Sequence, residues 1–152
     1  MTGVQTCALP IYRFVYVLMG DGEQQEGQVW EAAMFAPHNK IDNLIAFIDV
    51  NGQQIDGSTN HVLNLLDIGK KYEAFGWNTL SCDGNNFEDL EKTILQAQKQ
   101  KGTGKPTAIM MKTEMGMGVD FMMGTHKWHG NAPNDEQAAK ALAQLEETLG
   151  DY

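Results

Sequence analysis

Two continuous apolar segments, residues 14–19 and 44–50, restrict the folds open to this chain more than any other feature. Both are rich in β-branched and aromatic residues, a composition typical of strands buried on both faces of a sheet. Between them, apolar residues recur at helical spacing, so we expect a helix over residues 25–38, with Pro37 bending or stopping its last turn. This order of elements predicts a right-handed β-α-β unit with parallel strands.

The rest of the chain continues the alternation of helices and strands. We expect a loop over residues 52–65 and a long glycine-punctuated loop over residues 113–133. The other predicted elements are a helix over 68–75, a strand over 77–82, a helix over 87–101, a strand over 107–112 and a last helix opened by a capping box at Asn134 and Gln137, with Ala138, Leu142, Leu145 and Leu149 on one face. The sequence therefore predicts an α/β fold with a mainly parallel sheet and helices on both faces.

Length and charge exclude several classes of partner. The chain has 152 residues, enough for one domain with one core. Its net charge is −9 and it has no basic cluster, so we expect no nucleic-acid partner. No apolar run approaches the roughly 20 residues that cross a bilayer, so we expect no membrane partner. Two cysteines, Cys7 and Cys82, are too few for a disulfide framework and favour a reducing cytoplasm.

The first residues differ in character from the rest. Residues 4–11 resemble the translation of a widely used sequencing adapter read in frame. We therefore expect residues 1–11 to be an artefact and residues 12–152 to be the C-terminal portion of a longer domain. The alternative is an ordinary disordered terminus.

Polar residues follow both apolar segments at the point where each predicted strand ends. Gly20, Asp21 and Gly22 follow the first, and Asn51 follows the second. Because parallel strands end at the same edge of a sheet, we expect Asp21 and Asn51 to converge there. A carboxylate and an amide oxygen beside glycines suit a hard cation that holds a diphosphate. Taken alone, Asp-Gly and Asn-Gly are turn signals, and Asn51-Gly52 also fits a type I′ turn.

The spacing of Gly20-Asp21-Gly22 and Asn51 resembles the thiamine-diphosphate fingerprint. Four further motifs resemble the transketolase family: GEQQEG at 22–27, WEAAM at 30–34, DNLIA at 42–46 and NGQQIDG at 51–57. They are most similar to its two-chain form, in which the diphosphate-binding domain is a separate N-terminal subunit. The resemblance runs from about residue 12 to Tyr152 and implies the diphosphate domain of the thiamine-diphosphate-binding fold, incomplete at its N-terminus.

The resemblance implies a role for each residue that matches a family motif. Asp21, the side-chain oxygen of Asn51 and the main-chain carbonyl of Gln53 would bind Mg²⁺, with diphosphate oxygens and a water completing an octahedron. Gly22 would offer its backbone N–H to the diphosphate, and Ile55 would lie against the ring system of the cofactor. The cofactor-binding residues implied are Gly20, Asp21, Gly22, Glu23, Asn51, Gln53, Ile55 and His129.

The histidines differ in what the resemblance implies. His129, in the segment WHGNAP at 128–133, matches the family histidine that touches diphosphate and the hydroxyls of the donor sugar, so it is the predicted catalytic residue. His126 has no consistent counterpart, and His38 and His61 are expected to be solvated. One position departs from the family, because Met115 stands where related enzymes often have a lysine. A direct cation contact to the diphosphate is then absent or comes from elsewhere.

The resemblance also implies the reaction and the partners. The reaction would transfer a two-carbon ketol unit between ketose and aldose phosphates, with thiamine diphosphate and Mg²⁺ as cofactors. The catalytic glutamate would lie on a second polypeptide, the C-terminal transketolase subunit, in a dimer of heterodimers. The family's upstream histidines and glycine-rich segment would precede residue 12, so this chain alone is expected to be inactive.

Two alternatives to a transketolase subunit stay open at this point. One is the diphosphate-binding domain of another thiamine-diphosphate enzyme, such as a pyruvate dehydrogenase component, whose chain would continue well beyond Tyr152. The other is an assembly module that keeps the fold but has lost binding through truncation. The motifs at 22–27 and 128–133 favour the transketolase.

Overall fold

The computed structural model describes residues 13–146. The elements in chain order are β1 (Val15–Gly20), a 3₁₀ turn (Gly22–Gln25), α1 (Gly27–His38), β2 (Leu44–Val50), β3 (Gln53–Gln54), β4 (Gly57–Ser58), α2 (Thr59–Val62), α3 (Ile68–Phe75), β5 (Asn78–Asp83), α4 (Phe87–Gln98), β6 (Thr107–Lys112), a second 3₁₀ turn (His126–Trp128) and α5 (Asp135–Leu142).

In the described part of the chain, four parallel strands form the central sheet in the order β1-β2-β6-β5. The β1-α1-β2 segment is the predicted unit, and its register places Gly20 opposite Asp49. The carboxyl ends of β1 and β2 therefore meet at one edge. The predicted α/β fold with a parallel sheet is confirmed.

The helices begin and end at residues whose chemistry explains their bounds. Asp67 caps α3 by accepting from the Lys70 N–H, and Gly76 ends the helix with a left-handed φ of 100°. At α5, Asn134 and Gln137 form the predicted capping box. No helix within residues 13–146 combines the length and the apolar character needed to cross a membrane.

Apolar side chains are buried on both faces of the sheet. On one face, α1 and α3 cover Ala46, Ile48 and Ala108. On the other, Ile45 and Ile109 pack beneath α4. The central strands β2 and β6 thus supply the most deeply buried residues, as their uninterrupted apolar sequences predict.

Four local expectations need correction. Strand β1 is not buried on both faces. Among the described strands it pairs only with β2. Its Leu18 is 68% exposed because α4 packs against β5 and β6 instead of against β1. Residues 52–65 hold the β3–β4 hairpin and α2 rather than a plain loop. Helix α1 begins at Gly27 rather than at residue 25, and it ends at His38 as predicted, with Pro37 in its last turn. Helix α4 ends at Gln98 rather than residue 101.

The last helix is shorter than its apolar pattern predicts. Helix α5 ends at Leu142, so Leu145 lies beyond it. Leu149 lies outside the described residues.

Candidate functional site

The loop after β1 brings Asp21 beside the end of β2. The Asp21 N–H donates to the Asp49 carbonyl at 2.9 Å, which extends the pairing of the two strands by one bond. In return, the Gly52 N–H donates to Oδ2 of Asp21 at 2.7 Å. Asp21 and the Asn51-Gly52 turn are therefore at one edge of the sheet, as the spacing predicts.

One oxygen of Asp21 is buried without a partner. The residue is 2% exposed, and its Oδ1 accepts no hydrogen bond from any described residue. Burial raises the pKa of the Asp21 carboxyl above its ordinary value, and the nearby charge of Asp49 raises it further. A buried carboxylate oxygen that lacks a donor is costly, and a bound cation would satisfy it.

Asn51 presents its side-chain oxygen at the same edge. Its Nδ2 donates to Oδ2 of Asp49 at 3.1 Å, and its Oδ1 accepts from the Gln53 N–H at 2.8 Å. These bonds fix which end of the amide is the oxygen, and Gly52 turns the chain with a φ of 75°. The oxygen keeps a second lone pair for another partner.

Asp49 was not among the predicted site residues. Its Oδ1 accepts from the Thr113 hydroxyl, and its Oδ2 accepts from Asn51. It therefore orients Asn51 and joins β2 to the residue that follows β6. Side chains two residues apart in an extended chain point to the same side, so the position of Asp49 two residues before Asn51 was the sequence signal for its place at the site.

Gly22 lies where the β3–β4 hairpin presses against the loop after β1. A Cβ on Gly22 would stand 2.8 Å from Cβ of Gln54. The missing side chain thus lets the hairpin approach. Glu23, a predicted cofactor-binding residue, uses its carboxylate to accept from the Gly20 N–H at 2.7 Å.

A buried glutamine that sequence reasoning missed anchors this loop. Gln24 is fully buried, and its Oε1 accepts from the Tyr72 hydroxyl at 2.8 Å. Its Nε2 donates to the Gly20 carbonyl at 3.3 Å, and its own carbonyl accepts from the Trp30 indole at 2.8 Å. Burial raises the pKa of Tyr72 to about 12, so the hydroxyl stays protonated and donates. The loop is thereby tied to α1 and α3.

His129 reaches the site from the loop after β6. It follows the second 3₁₀ turn, and its N–H donates to the His126 carbonyl at 2.9 Å. The Trp128 indole donates to the Phe121 carbonyl at 2.9 Å, and the two rings meet edge to face at 5.3 Å.

A cavity of about 620 Å³ joins these parts. It is lined by Gly20, Asp21, Gly22, Glu23, Gln25, Glu26, Asp49, Asn51, Gln53, Gln54, Ile55, Asp56, Val62 and His129. All eight residues predicted to bind the cofactor are in this lining, whereas His38, His61 and Met115 are not. Among residues 13–146, five carboxylates line the cavity and no lysine or arginine does, so these residues would repel a free diphosphate.

The donor types fit a hard cation. Within residues 13–146, no three His, Cys, Asp or Glu side chains are grouped to hold a metal. The predicted set has one carboxylate, one amide oxygen and one main-chain carbonyl, which are oxygen ligands of the kind Mg²⁺ takes together with phosphate oxygens and water. The partnerless Oδ1 of Asp21 is the structural observation that agrees with this set.

Comparison with protein families gives one model that covers most of the chain. Residues 6–150 match the family described as transketolase, thiamine diphosphate binding domain. The match begins inside the segment 1–11, so the boundary of that segment stays a prediction.

Curated relatives include subunits of transketolases. The chain is 41% identical over 132 residues to the 6-deoxy-6-sulfo-D-fructose transketolase subunit SqwG of Clostridium sp. (strain MSTE9), covering 87% of this chain and 47% of the relative. It is 40% identical over 134 residues to a subunit of the apulose-4-phosphate transketolase of Phocaeicola vulgatus, covering 88% and 47%. The chain thus spans about half the length of these relatives.

Solved structures similar to this chain are also transketolases. The transketolase of Campylobacter jejuni superposes with a TM-score of 0.79 at 34% identity, covering 87% of this chain and 20% of that one. The transketolase of Leishmania mexicana superposes with a TM-score of 0.78 at 33% identity, covering 86% and 19%.

Proposed function

Because the chain belongs to the transketolase family through its thiamine diphosphate binding domain, we propose that the acidic cavity holds the cofactor's diphosphate through Mg²⁺. Asp21, the side-chain oxygen of Asn51 and the carbonyl of Gln53 would be the protein ligands of the metal. Gly22 would direct its N–H towards the diphosphate, and Ile55, which is 64% exposed at the cavity wall, would support the ring system.

The partnerless, buried Oδ1 of Asp21 carries this proposal. The charge of the cavity adds to it, since five carboxylates would oppose a polyanion unless a divalent cation bound with it. Asn51 supports it as well, because Asp49 and Gln53 hold the amide with its oxygen defined.

The reaction that fits this site is the transfer of a two-carbon ketol unit between sugar phosphates, as in the pentose phosphate pathway. Thiamine diphosphate supplies the carbon nucleophile and the electron sink of that reaction. The residues of this chain would bind and orient the cofactor, and His129 would contact its diphosphate and the hydroxyls of the donor sugar. The transketolase names of the relatives favour this reaction over that of a pyruvate dehydrogenase component.

The proposal includes a second chain and a cytoplasmic location. Two relatives are named as transketolase subunits, which supports a partner that would carry the catalytic glutamate, in a dimer of heterodimers. The free, buried Cys82 agrees with a reducing compartment.

Calorimetric titration with thiamine diphosphate tests the site. We expect binding in Mg²⁺ and none in excess chelator, and we expect the partner chain to strengthen it or to be required for it. Asp21→Ala should abolish Mg²⁺-dependent binding because it removes a charged metal ligand. Asp56→Asn removes a carboxylate from the same cavity outside the ligand set, and its affinity should stay within about threefold of the native value.

Two outcomes would reject the proposal. Native affinity in Asp21→Ala would show that the metal binds elsewhere. Absence of binding under every condition, partner included, would favour the inactive assembly module.

A further inference from the structure

Asn51-Gly52 is the only asparagine-glycine step in the sequence. In such a step the main-chain nitrogen of the glycine can attack the side-chain carbonyl carbon of the asparagine, because no side chain on the glycine hinders the approach. Both residues are half-buried, so water reaches them. A Cβ on Gly52 would meet no atom within 4 Å. The turn is therefore open to a reaction that close packing would block.

Hydrogen bonds hold every group that takes part in this reaction. The nucleophile, the Gly52 nitrogen, donates its hydrogen to Oδ2 of Asp21 at 2.7 Å. The leaving group, Nδ2 of Asn51, donates to Oδ2 of Asp49 at 3.1 Å. The oxygen of the attacked carbonyl, Oδ1 of Asn51, accepts from the Gln53 N–H at 2.8 Å. The attack therefore requires the turn to open locally and these bonds to break.

We propose that Asn51 is a site of spontaneous deamidation, and that these three hydrogen bonds slow the reaction in the folded chain. The Gly52 nitrogen bonds to Cγ of Asn51, and Nδ2 leaves as ammonia with the hydrogen that the Gly52 nitrogen gives up, so a succinimide ring forms. Water then opens the ring at either of its carbonyls and leaves an aspartate or an isoaspartate at position 51. The net change is the gain of one water and the loss of one ammonia.

The products differ from asparagine in charge and in main-chain length. Either product adds a carboxylate to a cavity that five carboxylates already line. Isoaspartate also lengthens the main chain by one carbon before Gly52, which displaces the Gly52 N–H from Asp21. The consequence for cofactor binding rests on the proposed function, whereas deamidation itself rests only on the turn.

Peptide mass spectrometry of the full 152-residue chain, sampled during storage in mildly alkaline buffer, tests the proposal. We expect the mass gain of deamidation at Asn51 before it appears at the exposed Asn85 and Asn131, because the residues that follow those two carry side chains. The same chain unfolded in urea should react at Asn51 about tenfold faster, since the turn is then open. Asn51→Gln should abolish the gain at this position, because the attack would need a larger ring.

Two substitutions at the end of β2 and β6 separate the restraint on Asn51 from general loosening. Asp49→Ala removes the acceptor of the leaving group and should accelerate the reaction about fivefold, because opening the turn then breaks one hydrogen bond fewer. Thr113→Val is the matched control, since it removes the bond that Oδ1 of Asp49 accepts and leaves the bond to Asn51. Its rate should stay within about twofold of the native rate. Circular dichroism checks that both variants are folded during storage.

Asp21→Ala provides a second, independent variant. It removes the acceptor of the Gly52 N–H and should also accelerate the reaction. A slower reaction in this variant would overturn the proposal, because the carboxylate would then assist the attack instead of restraining it.

Three other results would also overturn the proposal: equal rates at Asn51 in the folded and the unfolded chain, equal acceleration in Asp49→Ala and Thr113→Val, or an earlier mass gain at another asparagine of the folded chain. The readouts need neither metal nor cofactor. Their failure is therefore distinguishable from failure of the proposed function, which is tested by metal-dependent binding.

Discussion

Asp21 and His129 face the same cavity, but the protein holds them by different means. Asp21 is buried, and the loop that carries it is tied to the turn after β2 through Gly52 and to α3 through Gln24 and Tyr72. His129 is exposed, and the nearest hydrogen bonds of its loop join residues of that same loop. The half that carries Asp21 is thus tied into the core by hydrogen bonds, whereas the hydrogen bonds nearest His129 stay within its own loop.

Gly22→Ala should have the largest effect of the substitutions that probe this difference. The new Cβ would stand 2.8 Å from Cβ of Gln54, so the hairpin must move away from the loop. Overpacking of this kind costs about 1–3 kcal/mol of unfolding free energy, and metal-dependent cofactor binding should fall with it. Chemical denaturation and calorimetry measure the two effects.

Gly27→Ala is the matched control for that substitution. A Cβ on Gly27, at the start of α1, would meet no atom within 4 Å. It should leave binding unchanged and stabilise the helix slightly. Equal losses in both variants would show that Gly22 is not a special position.

Tyr72→Phe should have the next largest effect. It leaves Oε1 of the fully buried Gln24 without its donor, which costs about 1–3 kcal/mol of unfolding free energy. The loop that carries Asp21 should loosen, so metal-dependent binding should weaken as well. Adding Gln24→Leu should recover part of the stability, because the unsatisfied acceptor is then removed. A double variant no more stable than Tyr72→Phe would contradict this reading of the pair.

Trp128→Phe should have the smallest effect on the whole molecule. It removes the indole bond to the Phe121 carbonyl in the histidine half but keeps an aromatic ring beside Phe121. We expect a loss of about 1 kcal/mol or less in global stability and faster amide exchange over residues 121–131. Exchange that accelerates equally around Asp21 would show that the two halves are not independent.

The parts of the site that the sequence predicts are those that follow from strand order. Asp21 and Asn51 each follow a buried strand, and parallel strands end at one edge, so their convergence follows from local pattern alone. His129 was predicted as a site residue from its motif, WHGNAP at 128–133. Fold class and most helix bounds were predictable for the same reason, because periodicity and caps are local signals.

The parts that the sequence misses depend on distant contacts. Gln24 acquires its role from Tyr72, 48 positions away, and Asp49 is oriented in part by Thr113, 64 positions away. The two-residue strands β3 and β4 are too short to show a period. The exposure of β1 follows from its place at the edge of the sheet that the described strands form, which its apolar sequence does not reveal.

The most direct test of the metal assignment is a crystal structure of the chain with thiamine diphosphate and Mn²⁺ in place of Mg²⁺, with the metal located by its anomalous scattering. The assignment predicts one metal peak about 2.0–2.3 Å from Oδ1 of Asp21, Oδ1 of Asn51 and the Gln53 carbonyl, bridging to the diphosphate. A bound cofactor whose metal does not contact Asp21 would contradict it.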